Sequence, residues 1–111
     1  MPFDQQKRGW IYVIVDRETG NRKVGITNKL EHRLDQFGRT WEIRYASRHD
    51  GHVVAAIENI VIMSLVKKYK TTQMSRTEFA SGFTETFVGS KPKLSRIVKL
   101  IKRTEKNLLN L

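Results

Sequence analysis

Glu58 is the ionisable residue whose position in the sequence most clearly points to chemistry. It lies in a long apolar segment, and the residues one helical turn away on either side are all apolar: Val54, Ala55, Val61 and Ile62. A carboxylate buried there is destabilising unless a cation or a hydrogen-bond donor compensates it. Either Glu58 pairs with a nearby arginine or lysine, or it binds a divalent cation such as Mg²⁺, which needs only one or two protein carboxylates besides water and phosphate.

A second group of candidate residues lies between positions 9 and 34. Residues 10 to 15 are β-branched and aromatic and predict a strand, residues 16 to 21 are rich in turn formers, and residues 22 to 26 predict a second strand. Gly25 interrupts this second strand, where a glycine is expected only if another group approaches the backbone closely. The pattern predicts a hairpin that leads into a helix.

The helix after the hairpin has a recognisable start and an arginine near its apolar stripe. Asn28 is a suitable N-cap, and Glu31 three residues later completes a capping-box pattern. Apolar residues at helical spacing are expected to pack on the hairpin: Leu30, Leu34 and Phe37. Arg33 lies beside this stripe, so we predict that it sits at the polar edge and reaches the mouth of a cleft.

In order and spacing, these segments resemble the GIY-YIG nuclease superfamily. The first motif of that family resembles Trp10-Ile11-Tyr12, the second resembles Lys23-Val24-Gly25, and the helix arginine corresponds to Arg33, eight residues after the glycine. The Lys-Val-Gly-Ile-Thr sequence with a following Leu-x-x-Arg is most similar to the T5orf172-like branch, which is common in phages and mobile elements. The resemblance extends over most of the chain.

The resemblance implies a metal-dependent DNA endonuclease and a role for each matching residue. Glu58 corresponds to the glutamate that binds Mg²⁺ or Mn²⁺, and Arg33 would donate to the scissile phosphate. Tyr12 would orient the attacking water or act as a general base. Lys23 would lower the pKa of Tyr12 or contact phosphate directly, and Gly25 would keep the strand flat enough for nucleic acid to approach.

Two departures from the family pattern keep a second function open. Lys23 replaces a tyrosine, and the asparagine that many members have near the end of the site is absent. Glu85 either faces the site or pairs with a cation such as Arg76. The alternative function is therefore a catalytically inactive DNA-binding module. The retained tyrosine, arginine and glutamate favour the nuclease.

Composition limits the classes of protein to which this chain can belong. It has 111 residues, 21 Lys and Arg against 11 Asp and Glu, a net charge of +10 and no cysteine. Such a charge favours nucleic acid over a membrane surface, although a basic surface that serves only solubility is the alternative. We expect one domain over residues 1–111, no membrane segment and a cytoplasmic location. No small-molecule cofactor is expected, and the oligomeric state is left open.

Residues 91–111 predict a basic C-terminal helix, with Ser90 as its cap and Pro92 in its first turn. One face of this helix is mainly apolar, and the other carries lysine and arginine. The basic face either faces solvent or binds phosphate. The predicted nucleic-acid contacts are Gly25, His32, Lys93, Arg96, Lys99, Lys102 and Arg103. His49 and His52 flank a turn without further zinc ligands, so no zinc site is expected.

The predicted fold class is α+β, with a small mixed or antiparallel sheet of three main strands flanked by three helices. Residues 41 to 47 alternate as a third strand, with Trp41, Ile43, Tyr45 and Ser47 on one side. Residues 53 to 70 predict a central helix that is buried on nearly all sides. Residues 71 to 81 predict a polar connection, and residues 82 to 89 a short last strand or edge segment.

Overall fold

The computed structural model describes residues 3–68, 74–79, 82–87 and 93–110. The elements follow one another as β1 (Gly9–Asp16), β2 (Arg22–Thr27), α1 (Leu30–Phe37), β3 (Trp41–His49), α2 (Gly51–Lys68), β4 (Met74–Phe79), β5 (Gly82–Phe87) and α3 (Leu94–Leu109). The predicted α+β class is confirmed, because an antiparallel sheet packs against helices.

The sheet is larger than the sequence predicts. Within the described residues it has five strands in the order β3-β1-β2-β5-β4, and every neighbouring pair is antiparallel. The expected connection over residues 71 to 81 contains β4, and β5 lies between β2 and β4 instead of at an edge. The prediction failed for β4 because its sequence, MSRTEF, is largely polar and lacks the apolar alternation that marks a half-buried strand.

Strand β1 lies in the interior and has both of its faces covered. Ile11, Tyr12, Val13 and Ile14 are all fully buried. The main apolar core lies on one face of the sheet, which we call the α2 face, and contains Ile11, Val13, Val24 and Ile26 of the strands with Val54, Ile57, Val61, Ile97 and Ile101 of α2 and α3. Since successive strand residues point to opposite faces, Tyr12 and Ile14 point to the other face, which we call the α1 face.

Helix α2 packs with one side only, which corrects the prediction of a helix buried all round. The side chains of Ile60 and Met63 are 42% and 64% exposed. The helix also begins at Gly51, within the predicted turn. A Cβ at Gly51 would lie 2.3 Å from the carbonyl oxygen of Lys7, so the start of α2 packs tightly on the N-terminal segment.

The N-terminal segment is held in place by Asn28, and this corrects the predicted cap of α1. The Asn28 side chain accepts a hydrogen bond from the Asp4 amide (2.8 Å) and donates to the carbonyls of Asp4 and Arg8 (3.0 Å each). It therefore does not cap α1, whose N-cap residue is Lys29 without a side-chain cap. The same segment is also tied to the fold by Phe3, which joins the core.

A β-bulge in β3 changes which residues share a face. Val13 pairs with Tyr45 but Ile14 pairs with Ile43, so Arg44 is an extra residue in β3. Tyr45 and Ser47 consequently lie on the α2 face, whereas Ile43 and Trp41 lie on the α1 face. The predicted single face for all four residues is wrong, because strict alternation cannot continue through a bulge.

Helix α3 follows the predicted amphipathic pattern over a shorter range. Its buried residues are Ile97, Ile101, Thr104 and Glu105, while Leu108 is 43% exposed. The predicted cap at Ser90 and the proline at 92 lie outside the described residues. Within the described ranges, no helix combines the length and apolar character required to cross a membrane.

Candidate functional site

Tyr12 and Arg33 lie near each other on the α1 face, between the sheet and α1. Both side chains are fully buried. Burial lowers the pKa of the Arg33 guanidinium, and the charge interaction with Tyr12 acts in the opposite direction. Arginine nevertheless stays protonated in proteins, so the structure holds a buried cation near enough to Tyr12 for their charges to interact.

The position of Arg33 differs from the prediction. We expected it at the polar edge of α1, but it is the buried residue of that helix. Leu30, Leu34 and Phe37 are only half-buried. The side of α1 that faces the sheet thus includes the arginine together with the apolar stripe. Burial of a guanidinium is costly, so the neighbouring groups must compensate its charge.

Lys23 lies on the same sheet face, beside two aromatic rings. Its Nζ is 4.9 Å from the ring centroid of Phe37 and 4.9 Å from that of Trp41. Burial lowers the pKa of the ammonium, and the charge of Asp16 opposes this effect. An ammonium over a ring face gains cation–π stabilisation, so these rings fix the direction of the lysine side chain.

Gly25 lies directly opposite Tyr12 in the ladder and also pairs with Thr84 of β5. It is buried. A glycine opposite a tyrosine leaves space for the aromatic ring across the strand. Gly25 is buried in this structure, and its predicted contact with nucleic acid stays a prediction.

Glu58 lies in a different layer from Tyr12 and Arg33. It is 5% exposed and projects from the side of α2 that packs on the α2 face. The structure thus brings together Tyr12, Lys23 and Arg33 on the α1 face, and it places Glu58 across the sheet from them. Among the described residues, no group of three or more His, Asp or Glu side chains is arranged to hold a metal ion.

Sequence reasoning missed a buried polar cluster between β3 and α3. The Tyr45 hydroxyl donates to Oε1 of Glu105 at 2.5 Å, and His49 Nε2 lies 2.5 Å from Oε2 of the same carboxylate. Ser47 Oγ is 2.9 Å from His49 Nε2. The signal was present in the sequence: three polar residues alternate along one side of β3, and Glu105 occupies an inward position of α3. Because Ser47 and Glu105 contact the same nitrogen, the arrangement is not a nucleophile triad.

The cluster stabilises the charged form of Glu105 and the neutral form of Tyr45. Burial alone would raise the pKa of Glu105, but hydrogen bonds from Ser47, Tyr45 and His49 lower it overall. Burial and the adjacent carboxylate raise the pKa of Tyr45 to about 12. The phenol therefore acts as a hydrogen-bond donor that joins β3 to α3.

The raised pKa of Tyr45 predicts a loss of stability at high pH. The phenol ionises near 10 in the unfolded chain and near 12 in the folded protein, so its stabilising effect is complete below pH 10 and is lost as the pH rises to about 12. Relative to Tyr45→Phe, which lacks this group, the natural protein should lose about 1.4 kcal/mol of unfolding free energy between pH 8 and pH 11. Urea unfolding at both pH values measures this difference. An unchanged difference would contradict the assigned donor role.

A basic groove runs between the end of α2 and the first half of α3. Its volume is about 450 Å³, and its lining residues are Ser64, Leu65, Lys93, Ser95, Arg96, Lys99, Leu100 and Arg103. The predicted contact Lys102 is not among them, since its Nζ lies 5.5 Å from the ring of Tyr45. His32, on α1, is exposed. The structure thus concentrates four of the predicted basic contacts in one concave surface.

Comparisons with models of protein families, with curated proteins and with solved structures find no match to this chain. The resemblance to the GIY-YIG superfamily therefore stays a prediction from sequence motifs.

Proposed function

We propose that the protein is a metal-dependent DNA endonuclease of the GIY-YIG type. The observation that carries the proposal is the fully buried Arg33 beside Tyr12. A buried guanidinium contributes little to stability compared with an apolar side chain of similar volume. Ionisable groups with shifted pKa values concentrate at functional sites, so the burial supports a functional role.

The residues on the α1 face would supply binding and positioning. Arg33 would donate to the non-bridging oxygens of the scissile phosphate, and Tyr12 would orient the attacking water and accept its proton. Lys23 adds positive charge on the same face. Because Tyr12 and Arg33 are fully buried, the proposal requires α1 to move when the phosphate enters.

Glu58 is the residue that would hold Mg²⁺ or Mn²⁺. A single carboxylate fits the protein share of such a site, and its burial among apolar residues is a cost that a cation would offset. When bound, the metal would neutralise charge on a phosphate and its leaving oxygen. Because α2 lies on the other face of the sheet from Arg33, the metal and Arg33 could act on one phosphate only after a rearrangement larger than a movement of α1. The location proposed for this activity is the cytoplasm, on sequence grounds alone.

A catalytically inactive DNA-binding module is the second candidate, and two observations favour it. Glu58 and Tyr12 lie in different layers, and the Lys23 ammonium is directed at Phe37 and Trp41. The basic groove supports binding in either case, because phosphate contacts require only accessible cations.

Cleavage of supercoiled plasmid with Mg²⁺ or Mn²⁺ distinguishes the two functions. The natural protein should nick or linearise the plasmid, whereas Glu58→Gln and an EDTA-treated sample should both be inactive. A mobility shift on the same DNA should persist in the variant, since the groove is unchanged. If the protein binds DNA but does not cleave it with any metal, the proposed nuclease function is wrong and the DNA-binding module is the better candidate. Cleavage by Glu58→Gln at the natural rate would contradict the assignment of Glu58 as the metal ligand.

A further inference from the structure

Two groups of aromatic rings with an adjacent cation lie on the α1 face, on either side of Tyr12. The guanidinium carbon of Arg48 is 5.9 Å from the ring centroid of Trp10, its direct partner in the ladder. The other group consists of the Lys23 ammonium with the rings of Phe37 and Trp41. The bulge in β3 is the reason that Trp41 shares this face.

The two tryptophans are separated along the sheet by most of the length of β1. Trp10 is near one end of the strand, and Trp41 pairs with Asp16 at the other end. Six residues of extended chain span roughly 20 Å. Between the tryptophans the face is open on the β3 side, where Ile43 is 41% exposed. Both tryptophans are half-buried, so part of each indole surface is accessible.

We propose that this face binds single-stranded DNA by stacking unpaired bases on Trp10 and Trp41. The proposal rests on the proposed nuclease function and names its substrate as unpaired strands beside the scissile phosphate. Aromatic side chains with adjacent cations are the components that bind single strands without sequence preference, because every base has a π-face and every nucleotide a phosphate. The net charge of +10 adds the required attraction.

Paired bases cannot use this surface. In a duplex, each base is stacked on its neighbours, so the indole rings have access only to the backbone and the grooves. Unpaired bases can be splayed and stacked on protein rings. The proposed substrate is therefore DNA with unpaired bases, which a flap provides and which a negatively supercoiled plasmid provides in its unwound stretches.

Trp10 and Trp41 are the two tryptophans of the chain, so intrinsic fluorescence reports on both proposed platforms. Titration with a labelled oligothymidine should quench this fluorescence. The anisotropy of the label is followed in parallel and reports binding. An abasic strand of the same length should bind more weakly, without comparable quenching, because it offers phosphates but no bases. Equal quenching by the two strands, or binding of oligothymidine without quenching, would overturn the proposal.

Substitutions measure the contribution of each tryptophan ring to oligothymidine binding. Trp10→Leu and Trp41→Leu should each weaken oligothymidine binding by about thirtyfold, the middle of the range for one stacked base, and leave abasic-strand binding unchanged. Met63→Ala is the matched control, because it removes an exposed apolar side chain on the other side of the sheet. Thermal melting followed by circular dichroism verifies folding. Plasmid cleavage by the natural protein is read separately, so a lack of stacking refutes this proposal while leaving the nuclease proposal standing.

Discussion

Arg33→Lys should lower the rate of DNA cleavage by about 100-fold or more, the usual cost of losing one positioned donor to the reacting group. The guanidinium is fully buried beside Tyr12, so its position is set by packing instead of by solvent. Lysine keeps the charge but offers a point ammonium in place of a planar set of donors. Single-turnover cleavage of plasmid measures the effect.

The affinity for DNA should stay within about twofold in this variant, because the phosphate contacts that we propose to dominate affinity are those of the basic groove on α3. Tyr12→Phe is the companion variant, since it removes only the hydroxyl and should also slow cleavage without changing affinity. Natural cleavage rates in both variants would show that the buried pair is structural and would place the reaction elsewhere.

The double variant Lys99→Gln with Arg103→Gln should weaken DNA binding on the order of fifty-fold at 0.1 M salt. Both side chains line the basic groove. The slope of log affinity against log salt is negative, and each lost phosphate contact reduces its magnitude by about 0.9. Two lost contacts therefore reduce the magnitude by about 1.8. Binding titrations between 0.05 and about 0.3 M salt give both quantities.

The same helix provides a control with an equal change in charge. Lys102→Gln with Lys106→Gln removes two lysines that do not line the groove. It should weaken binding only a few-fold and leave the salt slope nearly unchanged, because long-range attraction is screened over about 10 Å at 0.1 M salt. Equal losses in the two double variants would mean that DNA responds to net charge and that the groove has no special role.

The elements with strong local patterns were predictable from sequence. Strands β1 and β2 are short β-branched runs around a turn, and α3 has a clear amphipathic period, so all three were predicted at nearly their observed positions. Strand β4 was not, because a polar strand at the sheet edge has the composition of a loop. Its partner β5 follows after two residues, but whether a polar segment forms a strand depends on the sheet that it joins.

The candidate site was predictable by residue type but not by environment. Sequence spacing selected Tyr12 and Arg33 together, and the structure places them near enough for their charges to interact. The sequence did not indicate that Arg33 is buried, because helical periodicity assigns a charged residue to the polar side of a helix. Asn28 was assigned to a cap that its side chain does not make, since a distant segment competes for the same hydrogen bonds.

The seam between β2 and β5 has a consequence for how this chain reaches its native state. It joins Arg22–Thr27 to Gly82–Phe87, whereas the β1–β2 and β4–β5 hairpins each form between neighbours in the sequence. Closing such a long loop carries an entropic cost that local hairpins avoid. The two hairpins can form early, while the seam must wait until α1, β3 and α2 have brought the chain back. Docking of one preformed hairpin against the other is thus expected to limit the folding rate, and the seam is where the sheet would part first under partial unfolding.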